Sequence, residues 1–439
     1  MKKTIIFIFF FYSLLSFSQN YTALDTTDYK IRKKLIEDIE SELEIFNKEL
    51  KKSYKGKKRK KIIQSYTELY NTFLKDIKKK KLVFNTHFTS YIDSITQSLI
   101  DNNDTLLKNR KLRVYVTKNN SPNALSMGRG FVLLNMGLFK YLKNEDQLAA
   151  VLSHEIAHQI LNHTKKNILH TVNLETSKEK REQSKKIKKK KYNKQSEAFS
   201  ALKDILYSNK KKHRIEEIEA DSIGFILYKN TNYQPKEFVN ALSLLAKFDS
   251  LPNISLKKET YKKYFDLKEQ PFKEEWMKIE DFNSYNYNNF KEKINQDSIK
   301  SHPEIYERIT KIKSTFAKEL LEEKPFINNS KYKELQGIAR NEDIPNLSYS
   351  EDYGISIYLT LFKLEKNPTN LFLKEWLGIN FQKLYEAKKK YQFNRHVHRL
   401  VPNEQSESYQ QFISFLWNLR LNEIKNIANY YSKTKKAED

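Results

Sequence analysis

A chain of 439 residues is long enough for two or three domains and a sizeable buried core, which excludes a short peptide or a single small module. It has no cysteine, so disulfides, thiolate metal sites and a lipid-modified cysteine are excluded together, and any tightly held metal must use histidine and carboxylate. Its 80 Lys and Arg against 54 Asp and Glu give a formal charge of +26. The lysines are nevertheless scattered along most helical stretches, and the runs at 78–81 and 185–191 lack interleaved aromatic and Gly residues; this points to an anionic membrane or envelope surface as partner rather than nucleic acid.

Residues 1–18 read as a secretory signal peptide. Lys2 and Lys3 form a basic start, an apolar run extends from Ile5 to Phe17, and Ser16 and Ser18 place small residues at a cleavage site after Ser18. The run is shorter than the roughly 20 residues that a spanning helix needs, so an uncleaved anchor is the weaker alternative. Export follows, with the periplasm as expected location and secretion or peripheral membrane attachment as alternatives.

From 19 to 110 the chain reads as a helical region. Ile31, Leu35, Ile39, Leu43 and Phe46 recur at helical spacing, as do Ile62, Tyr66, Leu69, Tyr70 and Phe73, with Tyr54-Lys55-Gly56 breaking the two runs. A third helix is expected over 87–100. These apolar stripes should pack on the next domain.

Period two then appears. Leu112, Val114 and Val116 alternate with polar neighbours, residues 119–123 form a turn, and 130–135 make a second strand. An exposed edge at Gly130, Phe131, Val132 and Leu133 could hydrogen-bond an extended peptide; an ordinary structural hairpin is the alternative.

The densest signal lies in a helix from Glu145 to about Lys165. Asn144 is an N-cap, Gln147 a capping-box partner, and Glu145 and Asp146 suit the positive helix end. Within it stands His154-Glu155-Ile156-Ala157-His158. Residues four apart lie nearly above one another, so both imidazoles face one point while Glu155 is turned about 100° away. An H-E-x-x-H match is expected by chance only about 0.02 times in a chain with 9 His and 54 acidic residues. Two zinc ligands and a general base are implied, one ligand short of a catalytic site.

A second helix, 215–228, supplies candidates for the third. Glu217 and Asp221 are four apart and point the same way, but Glu216 and Glu219 compete and periodicity does not choose between them. Ala220 and Gly224 are small, which would let this helix approach the first closely. The Lys-rich loop at 165–197 between the helices reads as a lid, and His163 and His170 as structural residues. The metallopeptidase domain is drawn at 111–325 and a C-terminal helical region at 326–439, where residues 367–387 suggest one degenerate tetratricopeptide-like unit and a last helix covers 406–432. The fold class is mainly α with a small β-sheet, a zincin-type core flanked by helical regions.

The run from Asn123 through Gly128-Arg129-Gly130-Phe131-Val132-Leu133-Leu134-Asn135 into Asn144 to His158 and His163 resembles metallopeptidase family forty-eight, the gluzincins that include CAAX prenyl proteases, HtpX-like and BepA-like proteases. Glu217-Ile218-Glu219-Ala220-Asp221 is similar to the family's E-x-x-A-D motif, and Ser301-His302-Pro303 with Arg308-Ile309 to an element of its soluble, exported BepA-like branch. The resemblance implies one zinc ion held by His154, His158 and Glu217, with Asp221 orienting a ligand histidine. It implies that His302 occupies the fourth zinc position in a closed state, polarises the substrate carbonyl, or merely packs, and that Arg308 anchors that loop or steadies an oxyanion. The expected activity is zinc-dependent endopeptidase action on unfolded or misassembled proteins in envelope quality control. The competing reading is a zinc-stabilised envelope chaperone or scaffold whose protease activity is vestigial or blocked.

Overall fold

The computed structural model describes residues 21–25, 27–84, 86–178, 182, 194–248, 254–279, 305–325, 327–401 and 405–433, with side chains described from 212 onward in the helix that begins at 194. The expected signal peptide and His302 lie outside the described residues. Contacts divide the chain into two compact units, one of residues 24–254 and 278–352, the other of 1–23, 255–277 and 353–439. This differs from the expected division. Residues 24–110 belong with the metallopeptidase segment, the later boundary falls at 353, and 255–277 join the C-terminal helices.

In the larger unit, α1 (Tyr29–Ser53) and α2 (Gly56–Lys78) form a hairpin, followed by β1 (Leu82–Val83), α3 (Thr86–Asp101) and α4 (Asp104–Leu107). The break at Tyr54-Lys55-Gly56 falls where expected. Then come β2 (Arg113–Thr117), β3 (Ala124–Gly128), β4 (Phe131–Asn135), α5 (Gly137–Tyr141), α6 (Glu145–Ile160), α7 (His163–Thr176), α8 (Lys194–Lys229) and α9 (Pro235–Phe248).

The sheet has the order β1-β2-β4-β3, with β2 parallel to β4 and β3 antiparallel to it. Alternate side chains of β4 enter different cores. Val132 and Leu134 pack with Phe88, Ile92, Leu148 and Leu152 from α3 and α6, whereas Phe131 and Leu133 pack with Phe73, Leu74 and Ile77 of α2. Burial on both faces explains the continuous apolar run of this strand. It also overturns the expected edge: Gly130, Phe131, Val132 and Leu133 belong to the central strand and its entry, and their ladder positions are taken by β2 and β3. The exposed edge is β3, which the sequence reading missed.

At the β3–β4 turn Gly130 adopts φ +86°, and a Cβ there would stand 1.8 Å from the Lys111 carbonyl oxygen, so only glycine fits. Gln159 of α6 ties this turn to the helix: its Nε2 donates to Ser126 Oγ (2.7 Å) and to the Phe131 carbonyl (2.8 Å), and its Oε1 accepts from the Gly130 amide (3.0 Å).

The Lys-rich stretch is a second correction. Residues 163–176 and the part from 194 onward are helical. In α7 the apolar residues Ile168, Leu169 and Val172 recur at helical spacing and bury against Phe46, Leu50, Ile62 and Tyr66 of the hairpin. That burial outweighs the charged composition that suggested a loop.

Two helical segments, α11 (Ile305–Thr315) and α12 (Ser330–Asn341), with α13 (Asp343–Tyr349), complete this unit; α10 (Lys258–Phe265) belongs to the other. There it accompanies α14 (Tyr353–Lys366), α15 (Leu371–Lys389), α16 (Glu407–Asn418) and α17 (Leu421–Lys433). The expected last helix is two. It breaks at Leu419, which is extended, and the Arg420 amide donates to the Glu423 carboxylate at 2.7 Å. Among the described residues no helix is long and apolar enough to cross a membrane.

Candidate metal centre

The N-cap of α6 forms as its sequence suggests, while the capping-box partner reaches one residue further back. Asn144 Oδ1 accepts from the Gln147 amide at 2.9 Å, and Gln147 Oε1 accepts from the Lys143 amide at 2.8 Å. Asp146 accepts from the Gln234 amide (3.0 Å) and so fixes the helix to the start of α9. The helix is buried on nearly every side, because the sheet, α8 and α9 all pack on it.

Helix α8 crosses α6 at close range. A Cβ on Gly224 would lie 2.9 Å from the His154 Cα, and Ala220 is fully buried, as the small residues at these positions led us to expect. The close approach carries Glu217 to the two histidines. His154 Nε2 and His158 Nε2 are 3.1 Å apart, and they lie 3.5 Å from the two different carboxylate oxygens of Glu217, Oε2 and Oε1 respectively. Zinc bonds of about 2.0–2.1 Å meeting at tetrahedral angles place ligand atoms roughly 3.3 Å apart, so these three edges fit one small divalent cation. Among the described residues this is the only cluster of three such groups.

The alternatives open in sequence are separated here. Glu216 turns toward α7 and accepts from Asn167 Nδ2 at 2.8 Å, and Glu219 is half-exposed, 3.3 Å from His163 Nε2. Only Glu217 reaches both histidines.

Around the triad, Asp221 Oδ1 is 2.9 Å from His154 Nδ1, a short contact whose angle is bent from the ideal. Arg308 of α11 is buried and lies against the same carboxylates: Nε and Nη2 donate to Asp221 at 2.5 and 2.7 Å, and Nη1 is 3.0 Å from Glu217. Its guanidinium thus faces two carboxylates and anchors them to α11.

Burial disfavours the charged form of His154, but Asp221 and Glu217 outweigh it and raise its pKa to about 10. Burial, aided by the neighbouring His154, lowers His158 to about 3. Burial would raise Glu217, yet His154 and Arg308 hold it far below the usual carboxylate range. Glu155 is pushed up to about 7, chiefly by burial, against the opposing pull of His154 and a backbone hydrogen bond from Ser126.

His154, Glu155, His158, Glu217 and Arg308 line a cavity of about 360 Å³. One wall is the stretch from Ser121 to Ser126, that is, the entry and first half of the edge strand β3. Another is apolar, with Leu138, Phe238, Leu242 and Ile305. A carboxylate of raised proton affinity beside a cation cradle, next to an edge strand, can move a proton at the backbone of a chain held in the cavity. Fold and site together define a metallopeptidase of the type in which two histidines of H-E-x-x-H are joined by a glutamate from a separate helix.

The comparisons agree. The profile of peptidase family M48 matches residues 87–316, more than half of the chain, and the chain belongs to that family. It is similar to the beta-barrel assembly-enhancing protease of Yersinia pestis, 33% identical over 82 residues that cover 19% of this chain and 16% of that protein. It also resembles the mitochondrial metalloendopeptidase OMA1 of Saccharomyces cerevisiae, 25% identical over 149 residues, 30% of this chain and 36% of that one. The matches thus span well under half the length of these relatives.

Proposed function

We propose that the chain is an exported zinc-dependent endopeptidase acting on unfolded or misassembled proteins of the cell envelope. The observation that carries this is the triangle of His154, His158 and Glu217, whose edges of 3.1 to 3.5 Å suit one zinc ion, with Glu155 in the same cavity. Zinc held there would lower the pKa of water toward neutrality and polarise the scissile carbonyl. Glu155 acts as the base that takes a proton from the attacking water and returns it to the departing amine nitrogen; burial raises its proton affinity, which suits the uptake. Asp221 and Arg308 hold His154 and Glu217 in place. The β3 edge, not β4 as first expected, aligns the substrate as an added strand, and the apolar wall receives one of its side chains. Similarity to a beta-barrel assembly-enhancing protease supports the envelope role.

For His302 the three roles that the resemblance implies stay open: closing the fourth zinc position, polarising the substrate carbonyl, or packing. The test compares wild type, Glu155→Gln and His302→Ala on casein and on an unfolded envelope protein, with bound zinc measured in each. We expect Glu155→Gln to keep zinc and lose about 10²–10⁴-fold in rate. Three proteins equally inert with zinc bound would instead favour the chaperone reading, and activity confined to His302→Ala would mark a gated enzyme.

A further inference from the structure

His158 turns Nε2 toward His154 and Glu217, which leaves Nδ1 on the far side of the ring. That nitrogen meets Nδ1 of His163 at 2.8 Å. A histidine that offers the lone pair of Nε2 to a cation must carry its ring proton on Nδ1. The contact therefore has one consistent polarity, with His158 Nδ1–H donating and His163 Nδ1 accepting. His163 in turn bears its proton on Nε2, which lies 3.3 Å from Glu219 Oε2.

The chain geometry builds this contact. Asn162 adopts the left-handed conformation (φ 56°) between α6 and α7, and the resulting turn brings the first residue of α7, His163, back to the His158 ring. His163 is buried at 2% exposure while Glu219 is half-exposed, so the relay runs from the ring outward toward solvent. His154 has a carboxylate, Asp221, in the corresponding place. The two ring systems are thus oriented by different acceptors, and His163 lies outside the lining of the catalytic cavity.

We propose that His163 is a positioning residue for metal binding: it fixes the ring and tautomer of His158, with Glu219 ending the relay. This departs from our sequence expectation of a merely structural histidine, and it rests on the zinc reading above. Groups that accept from a ligand imidazole govern metal affinity by holding the ring in its binding orientation.

The experiment measures zinc affinity by competition with a chromophoric chelator in wild type, His163→Leu, His163→Asn and Glu219→Ala, with metal-free unfolding midpoints alongside. We expect His163→Leu to lose about 10–100-fold in zinc affinity. His163→Asn, whose side-chain oxygen can stand in for Nδ1, should recover most of that loss even though its metal-free stability is no better than that of the Leu variant, and Glu219→Ala should weaken zinc by a smaller factor. Equal losses in Leu and Asn would make the ring a packing element and overturn the proposal, as would wild-type affinity in the Leu variant. If the Leu variant does not fold, His163→Phe, which keeps a ring but offers no acceptor to His158, takes its place, and wild-type affinity there would overturn the proposal. A wild-type chain that takes up no zinc would refute the zinc reading itself, whereas tight binding by wild type and Leu alike refutes only the role of His163.

Discussion

Arg308 shows how much of the charge balance at the site depends on one cation. It is buried against Asp221 and Glu217, so two carboxylates can stay charged although burial disfavours their charge. Removing one partner of such a cluster leaves uncompensated buried charge. Arg308→Met is therefore expected to cost about 3–5 kcal/mol in metal-free stability, read by urea unfolding. Added zinc should restore part of that loss by neutralising the same carboxylates, measured as a rise in the urea midpoint. The pair His154 and His158 was legible from spacing alone, because four residues on a helix fix a shared direction. Glu217 was not: three glutamates within four residues differ only by rotation about the α8 axis, and their directions are decided by how α8 crosses α6. The contact of His163 with His158 was not legible either, because it comes from the left-handed turn at Asn162, a conformation that an Asn permits but does not announce.

Among elements, α1 is tied to the sheet by Glu42, which accepts from Arg113 Nη1 at 2.7 Å and Nη2 at 3.1 Å. Partial burial works against its charge, but Arg113 and Arg129 outweigh that and hold its pKa below the ordinary value of 4.5. A depressed folded-state pKa means stabilisation that is complete above the ordinary carboxylate value and fades as pH falls through the lower, folded one. Glu42→Gln should accordingly lose about 1–2 kcal/mol near neutral pH. The gap between the two thermal midpoints should close as the pH is taken well below 4.5, and a gap independent of pH would show the ion pair to be inert. The elements themselves were unequally readable. α1, α2 and α6 carry period and breaks or caps in their own residues. β3 is five residues with serine and glycine among them and half-buried positions, so no alternation marks it, and it exists because β4 offers a ladder. α7 hides its apolar stripe among lysines, and its helix depends on the hairpin it covers.

For the molecule as a whole, the family profile covers residues 87–316, yet the larger compact unit runs from 24 to 254 and 278 to 352. The difference has physical content. Outside the matched segment lie β1, the α2 side chains Phe73, Leu74 and Ile77 that cover Phe131 and Leu133, and Tyr332, which stacks on Phe139. A fragment of residues 87–316 should therefore expose a sheet face and aggregate or bind a hydrophobic dye, whereas 24–352 should unfold cooperatively; dye binding and thermal melts of the two fragments check this. The two-sided burial of β4 also bears on the order of events at the ribosome. Phe73 and Ile77 are synthesised well before Phe131 exists, so the amino-terminal hairpin emerges with its oily side uncovered and has to wait for later sequence to shield it. Folding of the front of the nascent chain cannot finish ahead of its middle.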